Sequence, residues 1–174
     1  MTTDETQLLG AAGDCHVYMW TVATGALVGR LIGHTMSVSG LALLGGNRCV
    51  TGGSDKTVRV WNLNDPSQPA LILEGHGDVV YAVATYGSTI VSGGQDQTLR
   101  IWDLDAGGIC RHTVRVRDII NCVGISQDGQ TVATGGWMGR VRFWSLQSGN
   151  PVSNLYQYSK TSHTYTYHRK ETVS

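Results

Sequence analysis

Four tryptophans, Trp20, Trp61, Trp102 and Trp144, stand 41, 41 and 42 residues apart, and each closes a similar stretch of chain. The stretches GDCHVYMW, GSDKTVRVW, GQDQTLRIW and GWMGRVRFW each read as a polar or Gly-rich turn entering an alternating strand. Self-similarity at this period marks one supersecondary unit repeated along the chain. Upstream of the turns lie CVTGG, TIVSGG and TVATGG, and before those VSGLALLGG, VVYAVATYG and IINCVGISQDG. The stretches ALVGRLIGH and ALILEGH add a fourth strand that runs into a Gly-His pair. Four short strands in each unit of about 41 residues predict an all-β chain built from one antiparallel sheet used repeatedly. The 23 glycines and five tryptophans against a single phenylalanine, Phe143, agree with many tight turns and specially placed indoles.

Charge and targeting narrow the function classes. Thirteen Lys and Arg balance thirteen Asp and Glu, which argues against nucleic acid as the main partner. The balance hides an asymmetry, because residues 1–105 carry five basic and ten acidic groups and residues 106–174 carry eight and three. The opening MTTDETQLLG lacks the basic and apolar regions of a leader, and no apolar run has the length of a membrane span. Cys15, Cys49, Cys110 and Cys122 are scattered without a CxxC pair, so thiols in a reducing compartment, cytoplasmic or nuclear, are expected.

The units resemble the WD-repeat (WD40) family, β-propellers whose blades carry Gly-His near the start and Trp-Asp near the end. Residues 75–103 carry the resemblance best, from Gly75-His76 to SGGQDQTLRIWD; residues 33–62 follow, with Gly33-His34 and TGGSDKTVRVWN. The resemblance implies a WD40-type β-propeller of four-stranded antiparallel blades, with about 3.5 to 4 of them in this chain. The expected units are a partial blade at 8–32 and blades at 33–74, 75–115 and 116–157. A polar tail, 158–174, is either disordered or a closing strand, since TSHTYTYHRK alternates Thr and Tyr. The absent blades leave three routes: a piece of a larger propeller, self-association through open blade edges, or closure by the tail.

The resemblance also implies a buried hydrogen-bonded chain in each complete blade. Here its members are His34, Thr51, Asp55 and Trp61, then His76, Ser92, Asp96 and Trp102. The chemistry is coherent, because an indole only donates, a hydroxyl accepts and passes a proton on, and an imidazole accepts on one nitrogen while donating from the other. The fourth unit departs, with Val116 in place of the His and Trp137-Met138 in the turn, leaving Thr134 and Trp144. The first keeps Asp14 and Trp20.

Ser92, His76 and Asp96 also have the composition of a catalytic triad, but the same set recurs once per repeat and ends on an indole that a nucleophile does not need. No phosphate loop of the form GxxxxGK[ST] and no clustered metal ligands occur, so no enzyme, cofactor, metal or small-molecule substrate is expected. The family resemblance implies a non-catalytic scaffold for other proteins or peptides, including phosphorylated or acidic ones. It points to a substrate-recognition or adaptor subunit of a complex such as a ubiquitin ligase. RNA or anionic lipid bound by the basic second half is the alternative.

By the same resemblance, contacts come from loops after the Gly-His position and from the residue before the turn Asp. Those positions hold Met36 and Ser39, Asp78 and Tyr81, Arg117 and Asn121, with Ser54, Gln95 and Trp137 in the turns. Trp137 and Met138, beside Arg117 and Arg140, have the composition of an interface hot spot. Trp137 either projects as a contact or folds down into the space of the absent His and Asp. The arginines at 111, 115, 117, 140 and 142 are either the solvated face of a blade or an anion-gripping patch.

Overall fold

Strands whose alternate side chains face opposite ways bury both sets only if a neighbouring sheet covers each face. A stack of such sheets is what the chain forms. The computed structural model describes residues 7–67 and 69–152; the tail at 158–174, expected as either a disordered segment or a closing strand, lies outside them. All regular elements among the described residues are strands, in four antiparallel sheets.

The first sheet holds β1 (Gln7–Ala11), β2 (Val17–Thr21) and β3 (Leu27–Leu31). The second holds β4 (Val38–Leu44), β5 (Arg48–Gly53), β6 (Val58–Asn62) and β7 (Leu71–Leu73). The third repeats it with β8 (Val80–Tyr86), β9 (Thr89–Gly94), β10 (Thr98–Asp103) and β11 (Ile109–Arg115). The fourth comprises β12 (Ile120–Ile125), β13 (Thr131–Gly136) and β14 (Val141–Ser145), after which Trp144 bridges Pro151. Each sheet is a meander in sequence order, as short turns between antiparallel strands dictate.

Three apolar clusters, one at each junction, join successive sheets. Leu9, Val17 and Met19 of the first sheet meet Cys49, Trp61 and Leu63 of the second. Val50, Val58 and Val60 meet Val83, Ile90 and Trp102 of the third. Val91, Leu99 and Ile101 meet Ile120, Val132 and Trp144 of the fourth. Trp61, Trp102 and Trp144, three of the four tryptophans that set the sequence period, are thus the large side chains by which one sheet seals against the sheet before it. Burial of its thiol at the first junction pushes Cys49 up to about 12, whereas the Cys122 thiol is exposed.

Glycines allow the close approach. A Cβ on Gly52 would stand 2.6 Å from Val80 Cγ1, and one on Gly93 would stand 2.5 Å from Ile120 Cγ2. The first strands β4, β8 and β12 each carry one unpaired residue where the register shifts, at Ser39, Tyr81 and Asn121. A bulge re-aims a side chain, which accounts for these three standing at the loop end of the sheets.

Leu99→Ala, at a fully buried position of the third junction, is expected to cost about 2–5 kcal/mol in urea unfolding. Ile72→Ala, on the exposed face of β7, should cost less than about 1 kcal/mol.

Candidate functional site

Pairing register explains why the indole reaches a hydroxyl. Trp61 pairs with Cys49 and Arg59 pairs with Thr51, so Thr51 is the diagonal neighbour of Trp61 on the adjacent strand. Trp61 Nε1 donates to Thr51 Oγ1 at 2.8 Å, and the same oxygen lies 2.7 Å from His34 Nε2. His34 Nδ1 lies 2.9 Å from Asp55 Oδ2, whose carboxylate also accepts the Thr35 N–H. In the third sheet Trp102 Nε1 donates to Ser92 Oγ at 2.8 Å, His76 Nε2 lies 2.7 Å from that oxygen, and His76 Nδ1 lies 2.8 Å from Asp96. Each set ties two central strands to the turn between them and to the loop ahead of the sheet.

With Nδ1 donating to the carboxylate, Nε2 is left to accept from the hydroxyl, which in turn accepts from the indole. Burial lowers the pKa of His34 and outweighs the pull of Asp55, in keeping with a neutral ring. Burial raises Asp55, but donors from Thr57, Thr35 and His34 reverse this and hold its carboxyl below the usual range. Asp96 is likewise held well below it, because His76, Gly77 and Thr98 donors outweigh its burial. Thr51 and Ser92 are fully buried, and each hydroxyl is closed between an indole and an imidazole, so neither faces a substrate.

The outer sheets vary this arrangement. In the fourth, Trp144 Nε1 still donates to Thr134 Oγ1 at 3.0 Å. Val116, at the His position, is buried among the apolar side chains of the third junction. The space of the absent His and Asp is taken by Asp118, two residues on. Its carboxyl carbon lies 2.5 Å from where a Cβ on Gly136 would stand, just as His34 Nδ1 lies 2.6 Å from the same place on Gly53. Asp118 is 2% exposed; its Oδ1 accepts the Met138 N–H at 3.2 Å, while Oδ2 has no hydrogen-bond partner. Sequence reasoning passed over Asp118, whose counterparts Met36 and Asp78 gave no reason to expect an inward turn. In the first sheet the diagonal position is Gly10, so Trp20 meets no hydroxyl there, and Asp14 accepts from the Tyr18 phenol at 2.6 Å.

Loop-end residues sit above this framework. Backbone N–H groups of Ser54, Gln95 and Trp137 donate to the carbonyls of Ser37, Val79 and Ile119, fixing each turn beside its loop. Tyr81 Oη donates to Gln95 Oε1 at 2.5 Å, which joins these two candidates into one polar unit. Trp137 projects outward: it is 68% exposed, Met138 is 61% exposed, and the inward alternative is closed by Asp118. Arg117 and Arg140 are exposed on the adjoining loop and turn. The arginine cluster is divided. Arg111 pairs with Asp103 at 3.5 Å and donates to Thr89 Oγ1, and Arg142 donates to the Val116 carbonyl at 2.6 Å, leaving Arg115, Arg117 and Arg140 to solvent. Among the described residues no three His, Cys, Asp or Glu side chains are gathered for a metal, and no helix is long and apolar enough to cross a membrane.

Comparison with known proteins matches residues 25–62, 67–103 and 108–145 to the family described as WD domain, G-beta repeat. The human WD repeat and SOCS box-containing protein 1 is 38% identical over 82 residues, 45% of this chain and 20% of that protein. The Periodic tryptophan protein 2 homolog of Neurospora crassa is 35% identical over 72 residues, 41% of this chain and 8% of its own. Cell division control protein 4 of Candida albicans is 43% identical over 58 residues, 33% of this chain and 8% of its own. The chain thus spans a fifth or less of the length of these relatives.

Removing His76 leaves Ser92 and Asp96 short of partners, so His76→Ala is expected to cost about 3 kcal/mol in urea unfolding. The double variant His76→Ala/Ser92→Ala should cost less than the sum of the two by about 1 kcal/mol or more, because they share one chain of bonds. For His34, Asp55 and Asp96 the unfolded chain binds more protons than the folded one between the lowered and ordinary pKa values, so stability rises with pH in those windows. Melting temperature should therefore fall as pH drops below 6.5 and fall again below 3.8, with His34→Gln removing the first slope. A melting temperature that rises between pH 7 and pH 5 would contradict a neutral His34.

Proposed function

The chain belongs to the WD-repeat family, whose repeats form protein-interaction scaffolds, and we propose that it is a non-catalytic scaffold that engages partner peptides through the Trp137 turn. One observation carries this reading. At the position where the neighbouring turns hold Ser54 and Gln95, the fourth sheet holds an exposed Trp137 followed by an exposed Met138. An indole and a thioether held out by a turn anchored at Ile119 and Asp118 have the chemistry of a contact that gains from burial by a partner. The exposed Arg117 and Arg140 favour an acidic or phosphorylated segment, by charge-assisted bonds to carboxylate or phosphate. Tyr81 and Gln95 offer a second, polar contact at the same end of the third sheet.

A finer role, as the substrate-recognising or adaptor part of a complex such as a ubiquitin ligase, is supported by the likeness to a protein whose name pairs WD repeats with a SOCS box. Cys15, Cys49, Cys110 and Cys122 are all free thiols, which supports a reducing compartment, cytoplasmic or nuclear. RNA or anionic lipid is the weaker reading, because Arg111 and Arg142 are already engaged within the chain.

The test is binding of synthetic acidic peptides, with and without phosphoserine and each carrying an apolar residue, read by tryptophan fluorescence and calorimetry. Trp137→Ala is expected to weaken binding by about tenfold or more while changing unfolding free energy by less than about 0.5 kcal/mol. Equal binding by the parent and Trp137→Ala would remove the turn from the reading.

A further inference from the structure

In the second and third sheets the buried hydroxyl has a close partner on each side. Thr51 Oγ1 accepts from Trp61 and lies 2.7 Å from His34 Nε2; Ser92 Oγ accepts from Trp102 and lies 2.7 Å from His76 Nε2. In the fourth sheet Thr134, 2% exposed, still accepts from Trp144, but its own O–H finds only the Arg142 carbonyl, at 3.5 Å. That is longer than a well-formed O–H···O bond. Asp118 Oδ2 is buried as well, and among the described residues it meets no donor. A buried hydroxyl short of an acceptor and a buried carboxylate oxygen short of a donor each carry a desolvation cost.

The two groups flank the space that an imidazole bridges in the other sheets. A Cβ on Gly53 would stand 2.6 Å from His34 Nδ1, and one on Gly136 would stand 2.5 Å from Asp118 Oδ2, so Oδ2 takes the place of the ring nitrogen that faces the turn. Gly53 follows Thr51 along β5, and Gly136 follows Thr134 along β13, by the same two residues, so each hydroxyl shares a strand face with that place. The side of the ring that reaches the hydroxyl has no protein counterpart in the fourth sheet. Val116 is packed into the third junction, and a carboxyl group is smaller than an imidazole. All of these groups belong to one repeat, as His34, Thr51 and Asp55 do.

We propose that the fourth sheet holds a site for one buried water, which accepts from the Thr134 hydroxyl and donates to Asp118 Oδ2. Two hydrogen bonds of about 2.8 Å that meet at a water oxygen span the reach of an imidazole ring between hydroxyl and carboxylate. A hydroxyl and a carboxylate supply the polar partners that a buried water needs, whereas a purely apolar cavity stays dry. The chain of bonds then runs from Trp144 through Thr134, the water and Asp118 to the Met138 N–H. The turn that carries Trp137 is thereby tied to the sheet interior as the turns of the second and third sheets are, with an exchangeable molecule in the place of a covalently held ring.

The experiment is NMR of the isotope-labelled 174-residue chain, with water-to-protein nuclear Overhauser effects read at the indole N–H protons. A cross-peak with the sign of a long-lived water is expected at Trp144 and not at Trp61 or Trp102, whose hydroxyls are closed by imidazoles. Asp118→Asn should keep the Trp144 signal, because an amide bonds the water through either of its atoms. Asp118→Leu should remove it, by taking away the carboxylate and filling the space; unchanged Trp61 and Trp102 resonances report that this variant is folded. Should Asp118→Leu not fold, the parent spectrum and a crystal structure of the parent still decide. There, density for a single atom within hydrogen-bond distance of Asp118 Oδ2 and Thr134 Oγ1 supports the site, and a protein atom in that place overturns it. Absence of the Trp144 cross-peak in the parent, equal cross-peaks at all three indoles, or a signal that survives in folded Asp118→Leu would each overturn it too.

Discussion

A buried hydroxyl that accepts from an indole is the contact on which the second, third and fourth sheets of this chain are organised. Thr51, Ser92 and Thr134 occupy that place in the second, third and fourth sheets, each one diagonal step from its tryptophan. The indole is apolar enough to seal the junction with the preceding sheet, yet its N–H cannot be left unpaired there. Pairing it to a strand hydroxyl meets both demands. Where an imidazole follows, the chain of bonds extends to a turn carboxylate and holds the loop ahead of the sheet. The loop end is therefore rigid at the positions from which side chains reach solvent.

The fourth sheet keeps the indole and hydroxyl and changes the rest. Val116 joins the apolar junction in place of an imidazole, and Asp118 turns inward from the loop to hold the turn by its Met138 N–H. The carboxylate has in effect moved from the turn to the loop. That releases the side chain at the Asp position, now Met138, from the buried chain of bonds, and the turn carries both Trp137 and Met138 side chains into solvent. Departure from the repeat and candidate function coincide because a residue freed from a structural bond can be given over to binding.

Much of the fold was legible in the sequence because its causes are local or periodic. Tryptophans spaced by 41 and 42 residues, alternating strands and Gly-rich turns require repeated short sheets, whatever the partner. His34, Thr51, Asp55 and Trp61 could be named together because the same four residue types recur as His76, Ser92, Asp96 and Trp102. The inward turn of Asp118 had no such echo. Its counterparts, Met36 and Asp78, are an exposed apolar residue and a residue that accepts from its own neighbour's N–H. The pairing of Arg111 with Asp103 and of Arg142 with the Val116 carbonyl was equally hidden, since a row of arginines reads alike whether its charges are engaged or free.

The sequence by itself determined the repeat, the strand pattern and the donor and acceptor types of the buried chains, since these follow from residue chemistry and spacing within a single unit. Only the tertiary structure decided which way Trp137 points, which carboxylate replaces the absent ligands of the fourth sheet, and which arginines are engaged within the chain. Those depend on how much space a neighbouring element leaves. Such space is set by close packing between units, a relation that no single repeat contains.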